Sequence, residues 1–318
     1  MRRTLMVLLA LSCASAAGAQ RAPSTSDPAL AAREAALRAA YDTMPDTGGT
    51  GAYAAIKEVD PRLPNHVVYR PAKLEALGPR KLGVIVWGNG GCREDGASAR
   101  QHLTELASRG YLAIAPGTIL SGPGAPPAKP AEPGLAVKTT TAEVLAGLDW
   151  ALAENTRRSS RYFGRIDPAM VAVAGHSCGG LQAIQAAADP RVRAVIVHNS
   201  GIFADGSNPI TGMTVDKSLL LKLHTPILYI LGGPSDVAYP NGTDDFRKIE
   251  HVPAMLLNLN VGHGGTFREA NGGRVAQVAV KWLDWQLRGD AGAAKTFTGP
   301  ACTLCTDPAW TVERKRIG

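Results

Sequence analysis

The chain has 318 residues, 45% of them hydrophobic and 19% charged, with a formal net charge of +7. That balance excludes a disordered or fibrous chain and allows a sizeable core in one α/β domain, for which roughly 250 residues is a normal size. No run of Lys and Arg with interleaved aromatic residues marks a nucleic-acid surface, so the basic excess reads as a solvated face.

In chain order, Arg2 and Arg3, the apolar residues 5–11 and Ala17-Gly18-Ala19 form the charged, apolar and small-residue parts of a signal peptide spanning 1–19, with cleavage before Gln20. Export to the periplasm or beyond the cell follows. Twin-arginine export through Arg2-Arg3 and lipid attachment at Cys13 fit their flanking residues less well. No segment reaches the roughly 18 to 20 continuous apolar residues of a transmembrane helix. Loss of the leader leaves 32 basic against 27 acidic residues, a net charge of +5.

Residues 20–62 form an N-terminal segment, and then strands alternate with helices. Apolar runs predict strands at 67–69, 82–86, 111–115, 170–174, 194–198, 227–231 and 254–259; helical periodicity predicts helices at 98–109, from Thr141 with Val144, Leu145, Leu148 and Leu152 on one face, and at 179–188, 244–249 and 274–287. Residues 116–136, rich in Pro and Gly, read as a loop bordering the cleft. This alternation implies a mostly parallel sheet with helices on both faces, and no insertion is long enough to build a cap domain.

Three strand ends carry the chemistry. Gly175-His176-Ser177-Cys178-Gly179 follows the strand at 170–174 and opens a helix, the context in which Gly-x-Ser-x-Gly presents a nucleophilic serine on a strained turn. Cys178 fails as nucleophile on frame, because the residue two before it is His176 where the turn needs glycine. Its backbone N–H instead suits one half of an oxyanion hole. The other half falls to the turn Gly88-Asn89-Gly90-Gly91, with Asn89 N–H the first choice and Gly90 the second. A serine hydroxyl needs a base held in one tautomer by an acid. His263 in Gly262-His263-Gly264-Gly265 and Asp236 after Gly232-Gly233-Pro234-Ser235 follow the next two strand ends in the order Ser, Asp, His; Asp205 is the reserve acid. His66 and His102 precede the nucleophile, His224 and His251 precede strands, His176 packs behind the turn, and His198 is expected at the cleft, where Phe203 would add a wall.

Once Cys13 leaves with the leader, Cys92, Cys178, Cys302 and Cys305 remain, an even number suited to an oxidising compartment. Three pairings are open. The favoured one joins Cys302 to Cys305 as a local loop in the tail 291–318 and Cys92 to Cys178 near the nucleophile. Cys302-x-x-Cys305 lacks a second ligand pair for zinc, and no Gly-rich segment ends in the Gly-Lys-Ser/Thr of a phosphate loop, so no metal or cofactor is expected.

With Ser177, Asp236 and His263 in that order, the Gly175 to Gly179 turn and the Gly88 to Gly91 loop, the chain resembles the α/β-hydrolases over roughly residues 63–290. The short acid loop and the missing cap resemble the branch holding cutinase-like polyester hydrolases, dienelactone hydrolases and platelet-activating-factor acetylhydrolases. The resemblance implies a catalytic domain at 63–290 and two-step acyl transfer on a small-molecule or polymeric carboxylic ester, by way of an acyl-enzyme on Ser177. Cys178 replaces the Met, and Asn89 the aromatic residue, common in the polyester branch, so that substrate class is not implied. A serine peptidase with the same triad and a non-catalytic binding protein on the same scaffold are the competing readings.

Overall fold

A computed structural model of the chain describes residues 28–127 and 135–318. The expected signal peptide and part of the Pro-rich loop lie outside the described residues. Nine strands form one sheet: β1 (Ala55–Glu58), β2 (His66–Pro71), β3 (Leu82–Gly88), β4 (Tyr111–Pro116), β5 (Ile166–His176), β6 (Ala194–His198), β7 (Ile227–Leu231), β8 (Ala254–Leu259) and β9 (Trp310–Lys315). They lie in the order β1-β2-β4-β3-β5-β6-β7-β8-β9. The six strands from β4 to β8 across the sheet run parallel. β1, β2 and β9 are antiparallel to their neighbours. This is the α/β-hydrolase architecture, with β3, β5, β6, β7 and β8 delivering their C-terminal ends to one edge.

The strands are apolar on both sides because both sides are covered. Successive residues alternate between two cores. Val84, Val86, Val171, Val173, Val195 and Val197 pack beneath α3 (Thr141–Thr156), α4 (Cys178–Ala186) and α5 (Tyr239–Lys248). Ile85, Trp87, Ala172, Ala174 and Ile196 face α2 (Arg100–Ser108) and α6 (Gly273–Arg288). Thr140 starts α3 with a reciprocal cap, its hydroxyl accepting from Glu143 N–H while the Glu143 carboxylate accepts from Thr140 N–H. α5 begins at Tyr239 rather than 244, because Pro240 sits in its first turn, where a missing N–H costs nothing. Between β6 and β7 only a turn of 3-10 helix, Lys217–Lys222, interrupts the loop.

Besides the short helix Ala291–Ala294 and four 3-10 turns, three elements lie beyond those expected. α1 (Pro28–Tyr41) and β1 come from the N-terminal segment, and β9 comes from the tail. β9 pairs with β8 from Ala254↔Lys315 to Leu259↔Trp310, and Phe297, Cys302, Leu304 and Trp310 join the α2/α6 core. The tail thus packs on the sheet that carries the strand ends.

Candidate active site

β5 runs out at His176, and Ser177 occupies the turn into α4 with φ 54° and ψ −123°. A non-glycine residue held at such a left-handed angle costs about 1 to 3 kcal/mol, and such residues cluster at functional sites. The flanking glycines make the turn possible. A Cβ on Gly175 would run into the carbonyl of Gly179, and one on Gly179 into the carbonyl of Gly88. Ser177 N–H donates to His198 O at 3.0 Å, so the β5–β6 ladder continues into the turn. Gly179→Ala is therefore expected to lower stability by about 3 kcal/mol through overpacking against backbone. A urea midpoint equal to that of the parent would refute the close approach.

The side chains expected from the sequence meet at this point. His263 Nε2 lies 3.0 Å from Ser177 Oγ, and His263 Nδ1 lies 2.6 Å from Asp236 Oδ1. Asp236 is 1% exposed. Its Oδ1 also accepts from Ala238 N–H, and its Oδ2 accepts from Gly232 N–H and Asn199 Nδ2, all at 2.8 to 2.9 Å. Burial pushes the Asp236 carboxyl up, but the His263 hydrogen bond and charge and the two backbone N–H groups outweigh it and hold it below the usual carboxylate range. The reserve acid Asp205 lies elsewhere, exposed and capping Ser207 N–H at 3.0 Å.

Cys178 opens α4 at the first helical position, where an N–H has no intrahelical acceptor. Asn89 follows β3 in extended backbone, φ −76° and ψ 144°, and its side chain is turned away, Nδ2 donating to Arg93 O at 2.9 Å and Pro116 O at 2.7 Å. A Cβ on Gly179 would stand 2.6 Å from Asn89 N, which brings the two expected N–H donors to the same turn. Gly90, the second choice, approaches His176 so closely that a Cβ would meet its Nδ1 at 2.5 Å. The cysteines pair as Cys92 with Cys178, Cα atoms 5.3 Å apart, and Cys302 with Cys305, 4.9 Å apart.

Several contributors were not legible as such. Asn199, in left-handed backbone at φ 45° just after β6, donates from one amide to both Asp236 Oδ2 and Gly262 O and so joins the acid loop to the histidine turn. His176 Nε2 donates to His263 O at 2.9 Å. Glu34 of α1 accepts from Gly264 N–H at 2.9 Å, so the N-terminal segment reaches the same turn. Arg268 is half-buried beside it, pulled below its ordinary value by burial and by Arg38 and Arg93. An asparagine directly after a strand end was the one available signal, since Asn tolerates positive φ better than most residues. The expected cleft residue His198 is instead fully buried, packed with His102, Trp87 and Phe267 under the sheet edge. Phe203 is partly buried against the α3/α4 core.

Among the described residues no group of three or more His, Cys, Asp or Glu side chains is placed to hold a metal ion, and no helix is long and apolar enough to cross a membrane. Comparison with curated proteins finds no match. Residues 68–261, from β2 to the loop before His263, match the model of the dienelactone hydrolase family.

Proposed function

The chain belongs to the dienelactone hydrolase family and is a hydrolase of the α/β-hydrolase fold; from that footing we propose that it cleaves carboxylic esters with Ser177 as nucleophile, His263 as base and Asp236 as the acid that orients it. The observation that carries this reading is the unbroken relay of 3.0 Å from Ser177 Oγ to His263 Nε2 and 2.6 Å from His263 Nδ1 to Asp236 Oδ1. Each separation lies within hydrogen-bond reach, the condition for general-base activation of a hydroxyl. Ser177 Oγ attacks the ester carbonyl while His263 Nε2 takes its proton. The carbonyl oxygen becomes an oxyanion facing Asn89 and Cys178 N–H. Collapse of the adduct expels the alkoxide, which leaves with the His263 proton, and an acyl group remains on Ser177. Water, deprotonated by His263, then releases the acid and restores the serine.

The substrate in this reading is a small-molecule or polymeric ester. The leader at 1–19, the N-terminal segment at 20–62, the catalytic domain at 63–290 and the tail at 291–318 make it an exported enzyme, and two disulfides suit the oxidising compartment that export supplies.

A fluorophosphonate probe is expected to label the mature protein and to fail on Ser177→Ala. Hydrolysis of a fluorogenic ester panel is expected to exceed that of a dipeptide panel. Labelling that survives Ser177→Ala would remove the nucleophile assignment, and faster dipeptide cleavage would move the enzyme to the peptidases.

A further inference from the structure

The Cys92–Cys178 bond occupies an unusual place. Cys178 is both the first residue of α4, whose N–H points out of the helix, and one end of the bridge. Cys92 closes the 3-10 turn Gly90–Cys92 that begins at Asn89, and its N–H donates to Asn89 O at 2.9 Å. The bridge therefore runs between the two short segments that carry the two oxyanion N–H groups. It is also buried: Cys92 is 0% and Cys178 3% exposed.

Those segments need restraint. Asn89 N–H and Cys178 N–H belong to the ends of different strands, β3 and β5, that are paired only as far as Gly88↔Gly175. Beyond that pair the β3 chain turns away into residues 89–92, with Gly91 at φ 66° and Cys92 itself at φ 47°. A cysteine at positive φ is a strained residue that persists only where its surroundings over-determine it. Here the surroundings are the bridge on one side and three hydrogen bonds on the other, Lys138 N–H, Thr139 N–H and Thr139 Oγ1 all donating to Cys92 O at 2.9 to 3.2 Å. Among the described residues, three of the five non-glycine residues at positive φ belong to this site: Ser177 itself, Cys92 bridged to the residue after it, and Asn199 on the acid of the relay.

We infer that the Cys92–Cys178 disulfide is the clamp that fixes the separation of the two oxyanion donors, so that Cys92 is a positioning residue for the transition state. The inference rests on the reading of Ser177 as the nucleophile. An oxyanion hole works because its donors need no reorganisation as charge develops, and a displacement of about 1 Å can cost on the order of 100-fold in rate. Loss of the clamp leaves both backbone N–H groups present but free to separate. The ground-state ester, which carries little charge on its carbonyl oxygen, should bind almost as before. The tetrahedral adduct should not.

The test compares Cys92→Ala/Cys178→Ala with Cys302→Ala/Cys305→Ala. The first is expected to lower kcat by about 10- to 100-fold with KM within about twofold, and to weaken inhibition by a phenylboronic acid, a tetrahedral-adduct mimic, by the same factor. The tail variant, which also loses a cross-link, is expected to keep kcat and boronate affinity. A second arm covers failure of the first variant to fold. In the tail-variant background one disulfide remains; a phosphine with water reduces it to two thiols and yields the phosphine oxide, and glutathione disulfide re-forms it with release of two glutathiones. Activity should fall as two thiols appear and return as they vanish. Unchanged kcat and boronate affinity in a protein titrating two thiols, or in the folded double alanine variant, would overturn the clamp while leaving the esterase reading intact. Parent protein lacking Ser177-dependent ester hydrolysis would overturn the reading itself.

Discussion

Asp236→Asn is expected to lower kcat by about 10⁴-fold, the cost of presenting a histidine base in the wrong tautomer. The hydrogen bonds around the carboxylate fix how the amide would sit. Oδ2 accepts from both Asn199 Nδ2 and Gly232 N–H, so the amide oxygen of the substituted side chain takes that place. Its NH2 then falls where Oδ1 was, facing Ala238 N–H and His263 Nδ1. Two consequences follow. A donor facing Nδ1 forces the His263 proton onto Nε2, where it points at Ser177 Oγ and cannot take that hydroxyl's proton. The opposed N–H groups of the new amide and of Ala238 also leave a buried donor unpaired, worth about 1 to 3 kcal/mol of stability. Steady-state kinetics on a chromogenic ester read the first, and a urea titration reads the second. Asp205→Asn, at an exposed turn, should stay within about twofold of the parent. Near-full activity in Asp236→Asn would return the acid role to Asp205.

How much of this was legible depended on whether a residue's partner was implied by the chain's pattern. β7, Ile-Leu-Tyr-Ile-Leu, is buried throughout and announces itself as a continuous apolar run. β9, Trp-Thr-Val-Glu-Arg-Lys, is an edge strand with only Trp310 buried, and edge strands carry the charges that disguise them. α1 is Ala-rich and buries only Tyr41, so it has no apolar stripe to read. At the site, Ser177, Asp236 and His263 follow strand ends whose order is set by the fold. Asn199 and Glu34 carry no such mark. Asn199 matters because it bonds Asp236 37 residues on, and Glu34 because it bonds Gly264 230 residues on. Only the folded sheet edge brings those pairs together. His198 was misplaced for a related reason. A strand's last residue can face the cleft or the layer beneath it, and the β6 register, His176↔His198, turns this one under.

That buried layer makes the fold sensitive to mild acid. His102 and His198 are 0% exposed, their rings 5.1 Å apart, and none of their four ring nitrogens has a hydrogen-bond partner among the described residues. Burial drives His102 down to about 3 against the pull of Glu105, and drives His198 well below 6.5, reinforced by His102 and His176. His176 is pushed down to about 3 by burial and by His263 and Arg268, opposed by its hydrogen bond to His263 O and by Asp236. These histidines are neutral in the fold and take a proton near 6.5 once unfolded. The unfolded state therefore binds more protons, and stability falls as pH drops below about 6.5, continuing toward 3. At pH 5 the deficit is about 2 kcal/mol for His102, at about 1.4 kcal/mol per pH unit, and His198 and His176 add to it in the same direction. Asp245 acts in the opposite sense. Burial outweighs Lys217 and raises it to about 6, so it takes up a proton in the fold as pH falls and returns about 1 kcal/mol by pH 5. His102 alone outweighs that return, and His198 and His176 add to the loss, so stability falls by on the order of a few kcal/mol between pH 7.5 and 5, a large share of the 5 to 15 kcal/mol that holds a typical domain. Urea midpoints at the two pH values measure it. His102→Phe/His198→Phe, which removes both rings without breaking a hydrogen bond to protein, is expected to lose at most half as much. An equal loss in that variant would place the acid sensitivity outside this layer, and no loss in the parent would mean that the histidines are not held neutral.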